Sequence, residues 1–106
     1  MNPQSSFLFD SSKFRPDFAA WLSANWHIWQ AFAREAGRVW DRGRRHYSAR
    51  TITEVLRHES ALAEVGGEWK INGNFVPDLA RLWADTFPDR ASLFETRRMP
   101  GARRAA

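Results

Sequence analysis

The feature that most constrains how this chain folds is a regular apolar stripe between residues 26 and 41. Apolar side chains recur there at intervals of three and four residues: Ile28, Trp29, Phe32, Ala36, Val39 and Trp40. This spacing places them on one face of an α-helix, which repeats about every 3.6 residues. We therefore predict an amphipathic helix over 26–41 that buries this face, with Asn25 as its N-cap and Gly43 at its end.

The composition indicates that this helix packs into one hydrophobic core. The chain has 106 residues, the size of a single domain, and it includes six Trp and eight Phe. Each buried aromatic side chain removes roughly 150–250 Å² from water, so a core can form without a metal or a disulfide. The chain has no cysteine. That excludes a disulfide framework, a thiolate zinc site, an iron–sulfur cluster and a cysteine nucleophile.

Further helices and two short strands are predicted along the rest of the chain. Three more helices are expected, at about 16–24, 49–63 and 77–86. Ser48 is suited to cap the second of these. Two strands are expected from the alternation of apolar and polar residues, at 68–71 and 93–97. Asn72-Gly73-Asn74 follows the first strand and is typical of a turn, because Asn and Gly tolerate positive φ.

These elements predict an α+β fold that is mostly α, with three or four helices and a two-stranded antiparallel ribbon. The arrangement resembles winged-helix modules, although the 13 residues at 64–76 are too many for a tight helix-turn-helix. We divide the chain into an N-terminal arm (1–15), a single globular domain (16–98) and a disordered basic tail (99–106).

The motifs of known enzyme sites are missing from the sequence. It has no nucleophile-elbow glycine pattern and no phosphate-cradling glycine loop, and His58-Glu59 lacks the second His of a helical zinc pair. We therefore expect a protein that is not an enzyme, with no catalytic residue, no cofactor and no metal. No apolar run approaches the roughly 18–20 residues of a membrane helix, and the N-terminus does not have the pattern of a secretory signal. The expected location is the cytoplasm, with no membrane partner.

The basic residues point to an anionic partner. Sixteen basic residues against twelve acidic ones give a formal charge of +4, and only Lys13 and Lys70 are not Arg. Four of the arginines and one histidine cluster around the predicted start of the helix at 49–63: Arg42, Arg44, Arg45, His46 and Arg50. A helix N-terminus favours anions, and guanidinium groups bind phosphate in a bidentate manner. Arg34 and Arg38 extend this patch along the outer face of the helix at 26–41.

Two alternatives remain open for these arginines. The segment can be a solvated loop whose arginines pair with Glu35, Asp41 and Glu54, or it can bind an acidic protein. The turn offers a second set of candidates for DNA contact, because amide and guanidinium groups can bind base edges: Asn72, Asn74 and Arg81. Backbone conformation alone also explains asparagine and glycine at such a turn. Trp26 and Trp69 are less firmly assigned to the core than the other tryptophans, and an exposed Trp can stack on bases or anchor a protein interface.

Three segments resemble a family of small uncharacterised phage and prophage proteins. They are HYSARTITEVLRHE (46–59), WKINGNFVPDLARLW (69–83) and LFETR (93–97). The family pattern is HYSAR-x-I-x-E-x-LR, then KIN, then ARLW, then FE-x-R, and the resemblance covers about residues 40–98. It implies a phage or mobile-element product in a bacterial host cell, acting on DNA or on a host protein. It implies no activity and no catalytic residue.

Two functional hypotheses follow. The first is a small non-enzymatic DNA-binding protein that holds phosphates with its arginine-rich loop. With about six phosphate contacts, its affinity should fall with salt at a log–log slope of about −5. The alternative is a phage-encoded inhibitor that binds a host nuclease, defence or transcription complex through its arginine and aromatic surface. A homodimer is compatible with either hypothesis.

Overall fold

The computed structural model describes residues 13–63 and 67–94, and this part of the chain is helical. Four α-helices follow one another: α1 (Phe18–Ala24), α2 (Trp26–Asp41), α3 (Ala49–Leu62) and α4 (Val76–Thr86). A 3-10 turn (Gly73–Phe75) precedes α4, and a 3-10 segment (Pro88–Leu93) follows it. Within the described ranges, no helix is long and apolar enough to cross a membrane. Most of the predicted arm, 1–15, and the whole of the predicted tail, 99–106, lie outside these ranges.

The predicted α+β fold with a winged-helix-like ribbon is wrong, because the described residues contain no strand. Residues 67–72 are irregular, and two of their backbone polar groups bond to side chains of α3 instead of to a second strand. The Trp69 N–H donates to Ser60 Oγ at 2.8 Å, and the Ile71 carbonyl accepts from the Arg57 guanidinium. Buried backbone groups need partners, and α3 supplies them here.

The second predicted strand fails for a different reason. Residues up to Leu93 form the 3-10 segment, and Leu93 and Phe94 are both buried. Successive side chains of a strand point to opposite faces, so two adjacent buried residues do not fit a two-stranded ribbon with one solvated face. The rest of that predicted strand, 95–97, lies outside the described residues.

The four predicted helices are confirmed, to within two residues at each end. The predicted cap of α3 is also confirmed, since Ser48 Oγ accepts from the Thr51 N–H at 3.2 Å. Asn25 does not cap α2 with its side chain. Its Nδ2 instead donates to the carbonyl of Trp21 at 2.9 Å, which satisfies the end of α1.

The core lies where α2, α3 and α4 meet, and α1 and the 3-10 segment close it. The largest fully buried side chains come from all of these elements: Trp83, Phe18, Phe32, Leu22, Ile28, Ile52, Leu79, Leu82 and Leu93. Aromatic rings hold the C-terminal end in place, with Phe94 5.4 Å from Phe32 and 6.0 Å from Trp83. Burial of each such side chain contributes roughly 1.5–3 kcal/mol. Phe14, which the sequence assigned to the arm, is also buried and stacks on Phe18 at 5.2 Å.

Candidate phosphate-binding surface

The loop between α2 and α3 is held at both ends by helix caps. Gly43 ends α2 with a φ of 96°, and its N–H donates to the Trp40 carbonyl at 2.9 Å. The next N–H, of Arg44, reaches the Val39 carbonyl at 3.3 Å. These two bonds form a Schellman motif, which requires a left-handed residue such as glycine at this position. Ser48 caps α3, so the loop is short and tied down.

A third bond ties the loop to the C-terminal end of the core. The Tyr47 N–H donates to the carbonyl of Leu93 at 2.7 Å. Because Leu93 is buried, this bond connects the loop to the packed interior. The structure therefore presents the basic side chains of the loop from a fixed backbone.

We define the arginine loop as its five basic residues, all of them exposed: Arg42, Arg44, Arg45, His46 and Arg50. The described part of the chain contains three ion pairs, Lys13–Asp85, Arg38–Glu35 and Arg81–Asp78. None involves the loop. Asp41 and Glu54, the carboxylates considered as its partners, form no ion pair with it. The positive charge of the arginine loop therefore has no protein carboxylate to neutralise it within the described residues.

Two of the loop guanidiniums rest on aromatic rings. Arg45 lies 3.9 Å from the centre of the Trp40 ring, and its Nη1 donates to the carbonyls of Trp40 and Arg44 at 3.0 and 3.1 Å. Arg44 lies 5.6 Å from the centre of the Tyr47 ring. A guanidinium has five N–H donors, so Arg45 keeps several free after these two bonds. Cation–π contacts of this kind limit the motion of the charge without neutralising it.

Arg42 and Arg50 differ from these two because they make no side-chain hydrogen bond, ion pair or ring contact with other described residues. Arg50 lies in the first turn of α3. There Ser48 occupies the N–H groups of Thr51 and Ile52. The N–H groups of Ala49 and Arg50 have no carbonyl one turn earlier, so they add to the positive field beside the Arg50 side chain.

The outer face of α2 extends this surface. Arg34, Arg38 and Arg42 follow one another at four-residue intervals, and all three are exposed. Side chains four residues apart are neighbours on a helix, so these form one row that ends in the arginine loop. Arg38 pairs with Glu35 at 3.1 Å, but its side chain remains 68% exposed. The structure therefore brings together seven of the ten predicted site residues.

The other three predicted residues lie elsewhere. Asn72 Oδ1 accepts from the Asn74 N–H at 2.9 Å, and the Asn74 carbonyl accepts from Arg15 Nε at 3.0 Å. Asn72 thus starts the 3-10 turn before α4 and is not at the tip of a ribbon. The prediction that Asn72-Gly73-Asn74 forms a turn with positive φ is wrong in its reason, because among the described glycines only Gly43 and Gly67 have positive φ.

Arg81 is held by a buried carboxylate. It donates to Asp78 Oδ1 at 3.2 Å, and the Arg15 N–H donates to the same oxygen at 3.4 Å. Asp78 is fully buried, and its Oδ2 has no hydrogen-bond partner. Burial raises the pKa of Asp78 above its ordinary 3.8, while Arg15 and Arg81 act in the opposite direction. The Arg81 side chain is only 16% exposed, so it contributes little to a surface for DNA.

Sequence reasoning missed Arg57, which lies beside an open groove. Its guanidinium bonds to the Ile71 carbonyl and lines the groove together with Trp21, Trp69 and other residues of the 68–75 segment. The partner lies 14 residues away in sequence, so no local pattern indicates the contact. The only available signal was the seven-residue interval between Arg50 and Arg57, which places both on one face of α3.

No group of three or more His, Cys, Asp or Glu residues in the described chain is placed to hold a metal ion.

Comparison with known proteins gives no relative: no family model, no curated protein and no solved structure matches the chain. The function of this chain is therefore inferred from its own residues and geometry.

Proposed function

We propose that this protein is a small non-enzymatic DNA-binding protein of a phage or mobile element, and that the arginine loop holds the phosphate backbone. The observation that carries the proposal is the set of four exposed guanidiniums, Arg42, Arg44, Arg45 and Arg50, without a carboxylate partner in the described residues. They stand on a backbone fixed by two helix caps. The row from Arg34 to Arg42 extends the same surface along α2.

The physical argument is that such a cluster is costly to assemble unless an anion binds there. Like charges close together repel one another, and arginines in a folded domain usually reduce that repulsion by pairing with carboxylates. Here the loop arginines rest on aromatic rings or point to solvent. DNA phosphates match guanidinium geometry, and the release of counterions from DNA drives the binding.

The test is fluorescence anisotropy of a labelled duplex at about 50 mM salt, where phosphate attraction is strong. Arg50→Glu reverses a charge in the arginine loop, and an acidic residue in the first turn of α3 suits the helix dipole, so the fold should keep its stability. We expect affinity to fall about 10-fold or more, because a phosphate contact is replaced by repulsion.

Lys13→Glu is the matched control, since it makes the same change in net charge on a side chain that pairs with Asp85, outside the arginine loop. It should leave affinity within about threefold of wild type, because it changes no side chain of the arginine loop and so removes no phosphate contact. Equal losses in the two variants would show that net charge alone drives binding. The absence of any binding at this salt concentration would overturn the proposal.

One observation favours a second candidate function, the binding of an acidic surface on a host protein. Trp40 is half-buried, and Arg45 and Arg90 lie 3.9 and 5.8 Å from its ring centre. Tryptophan and arginine are the residues most enriched at the energetic centres of protein interfaces. If this candidate is correct, duplex binding is absent while Trp40→Ala abolishes a complex isolated from host lysate.

A further inference from the structure

An open groove of about 800 Å³ lies between α1, α3 and the segment before α4. Its walls are aromatic, with Trp21 and Phe75 on one side and Trp69 in the irregular segment. Four charged residues also line it: Asp17, Arg57, Glu68 and Lys70. Its volume lies in the range of small-molecule and cofactor sites, roughly 300–1,000 Å³.

The irregular segment that carries Trp69 is fixed to α3 on both sides of this residue. The Trp69 N–H donates to Ser60 Oγ at 2.8 Å, and the carbonyl of Ile71 accepts from Arg57. Ser60 is itself buried, so this anchor is part of the packed interior. The tryptophan is therefore held at the groove by a fixed backbone.

Trp69 makes fewer ring contacts than Trp21 does among the described residues. Its one ring contact among the described residues is perpendicular, with His27 at 5.2 Å. Trp21 contacts two rings, Phe18 at 5.9 Å and Phe75 at 5.2 Å. Both tryptophans are half-buried. The groove is thus lined by three aromatic residues, Trp69, Trp21 and Phe75.

The charges of the groove balance, so it is suited to an uncharged ligand. Two carboxylates and two cations sum to a formal charge of zero, so neither a phosphate nor a strongly basic peptide is attracted as a whole. The polar groups present, including the Asn72 amide, can donate and accept hydrogen bonds at the edge of a flat ring. A nucleobase combines a flat ring with donors and acceptors at its edge.

The groove lies beside the proposed phosphate surface along α3. Arg50 belongs to the arginine loop, and Arg57 lines the groove seven residues later. Seven residues are close to two full turns, so both lie on one face of α3 with an axial separation of about 10 Å. Glu54 lies between them on that face and forms no ion pair with either in the described residues. A strand that follows this face of α3 from Arg50 passes Glu54 and reaches the groove at Arg57.

We propose that the groove binds an unpaired base of a single DNA strand, stacked on Trp69, while the arginine loop holds the adjoining phosphates. This inference rests on the proposed DNA binding and specifies its substrate, a single strand or an opened duplex end. Aromatic stacking together with a basic track is how many proteins bind single strands. Bases in an intact duplex are already stacked and do not enter the groove.

The experiment compares two labelled probes, an oligothymidine of about 12 nucleotides and a blunt duplex of the same length, within the usual site size of single-strand binders. Trp69→Ala should lower affinity for oligothymidine about 10-fold, since stacking of one base contributes about 1–3 kcal/mol. It should leave duplex affinity within about twofold. Trp26→Ala is the matched control, because Trp26 is also half-buried but does not line the groove.

Trp69→Phe keeps an aromatic plane and the packing of the segment. It should retain most of the affinity for oligothymidine, while the quenching of intrinsic tryptophan fluorescence on binding should fall relative to wild type. Unchanged quenching in Trp69→Phe, or equal affinity losses in Trp69→Ala and Trp26→Ala, would overturn this inference. In that case an effect of Arg50→Glu on both probes would still support the proposed function. Failure of both probes to bind wild type would overturn the two proposals together.

Discussion

Two arginine–carboxylate pairs of this protein have the same local geometry and opposite environments. Glu35 and Arg38 are three residues apart on α2 with an N–O distance of 3.1 Å, and Asp78 and Arg81 are three apart on α4 with 3.2 Å. The first pair is exposed, at 23% for Glu35 and 68% for Arg38. The second is 0% exposed for Asp78 and 16% for Arg81. An exposed pair of this kind contributes little to the free energy of folding. In a buried pair, removal of either group is strongly destabilising, because it leaves the other charge buried without a partner.

The comparison shows what makes an arginine available to a phosphate. Arg38 lies on the surface and can exchange its carboxylate for an anion at little cost. Arg81 binds a carboxylate that has no access to solvent, so its release would leave that carboxylate buried with the Arg15 N–H and without the guanidinium charge. Arg42 and Arg50 are more available to a phosphate than Arg38 is, since no carboxylate of the described chain pairs with them.

The largest effect is expected on stability from Asp78→Ala. The substitution removes the acceptor of Arg81 and of the Arg15 N–H and leaves a small cavity in the interior. We expect the free energy of unfolding to fall by about 2–3 kcal/mol, which urea denaturation followed by circular dichroism will measure. A loss below about 0.5 kcal/mol, typical of surface substitutions, would mean that the pair is not buried in solution.

The cap of α3 should give the next largest effect. Ser48→Ala leaves the Thr51 N–H without its acceptor, and we expect a loss of about 1 kcal/mol in urea denaturation. Ser48→Asp keeps an acceptor at the same position and should restore the stability. The new carboxylate lies among the arginines of the loop, so Ser48→Asp should nevertheless weaken duplex binding. A variant that binds DNA as well as wild type would contradict the role of the arginine loop.

Asp78→Asn separates the charge of this residue from its hydrogen bonds. The amide oxygen can still accept from Arg15 and Arg81, so stability at neutral pH should stay within about 1 kcal/mol of wild type. The pH dependence should differ. Because burial raises the pKa of Asp78, the folded chain holds this proton more tightly than the unfolded chain does. The contribution of Asp78 to the free energy of unfolding is therefore complete below pH 3.8 and is lost as the pH rises through the raised pKa.

The measurement that checks this prediction is the difference in the free energy of unfolding between wild type and Asp78→Asn at a series of acidic pH values. Wild type should lose stability relative to the variant as the pH rises from below 3.8. A constant difference, or one of the opposite sign, would show that the environment of Asp78 does not disfavour its ionised form.

The smallest effect is expected from Glu35→Ala. This substitution breaks an exposed pair of the same spacing, so the free energy of unfolding should change by less than about 0.5 kcal/mol. Because it frees Arg38 beside the arginine loop, duplex affinity should rise slightly. A stability loss equal to that of Asp78→Ala would remove the basis of the comparison.

The parts of this fold that could be predicted are those fixed by neighbours in sequence. The stripe of α2 and the Ser48 cap depend on residues within one or two turns, and both were predicted correctly. The ribbon was not, because Trp69 and Ile71 bond to the side chains of Ser60 and Arg57 on α3. Alternation in a short segment does not show whether its backbone bonds to a strand or to side chains.

In the candidate site, too, the features that could be predicted are those fixed by neighbours in sequence. The arginines of the loop are close in sequence, so their clustering was visible before the structure was known. The sequence assigned Arg81 to DNA contact, and its ion pair with the buried Asp78 was not predicted, since that burial depends on the packing of the whole core. Arg57 was missed because its partner is distant and its importance comes from the groove.

A salt titration is the decisive test of the proposal that the arginine loop binds the phosphates of DNA. The measurement is the affinity of wild type and Arg50→Glu for a labelled duplex between about 25 and 200 mM salt. We predict a log–log slope of about −5 for wild type and a slope shallower by about 1 for the variant, because one phosphate contact is lost. A flat wild-type titration, or the same slope for both proteins, would contradict the account.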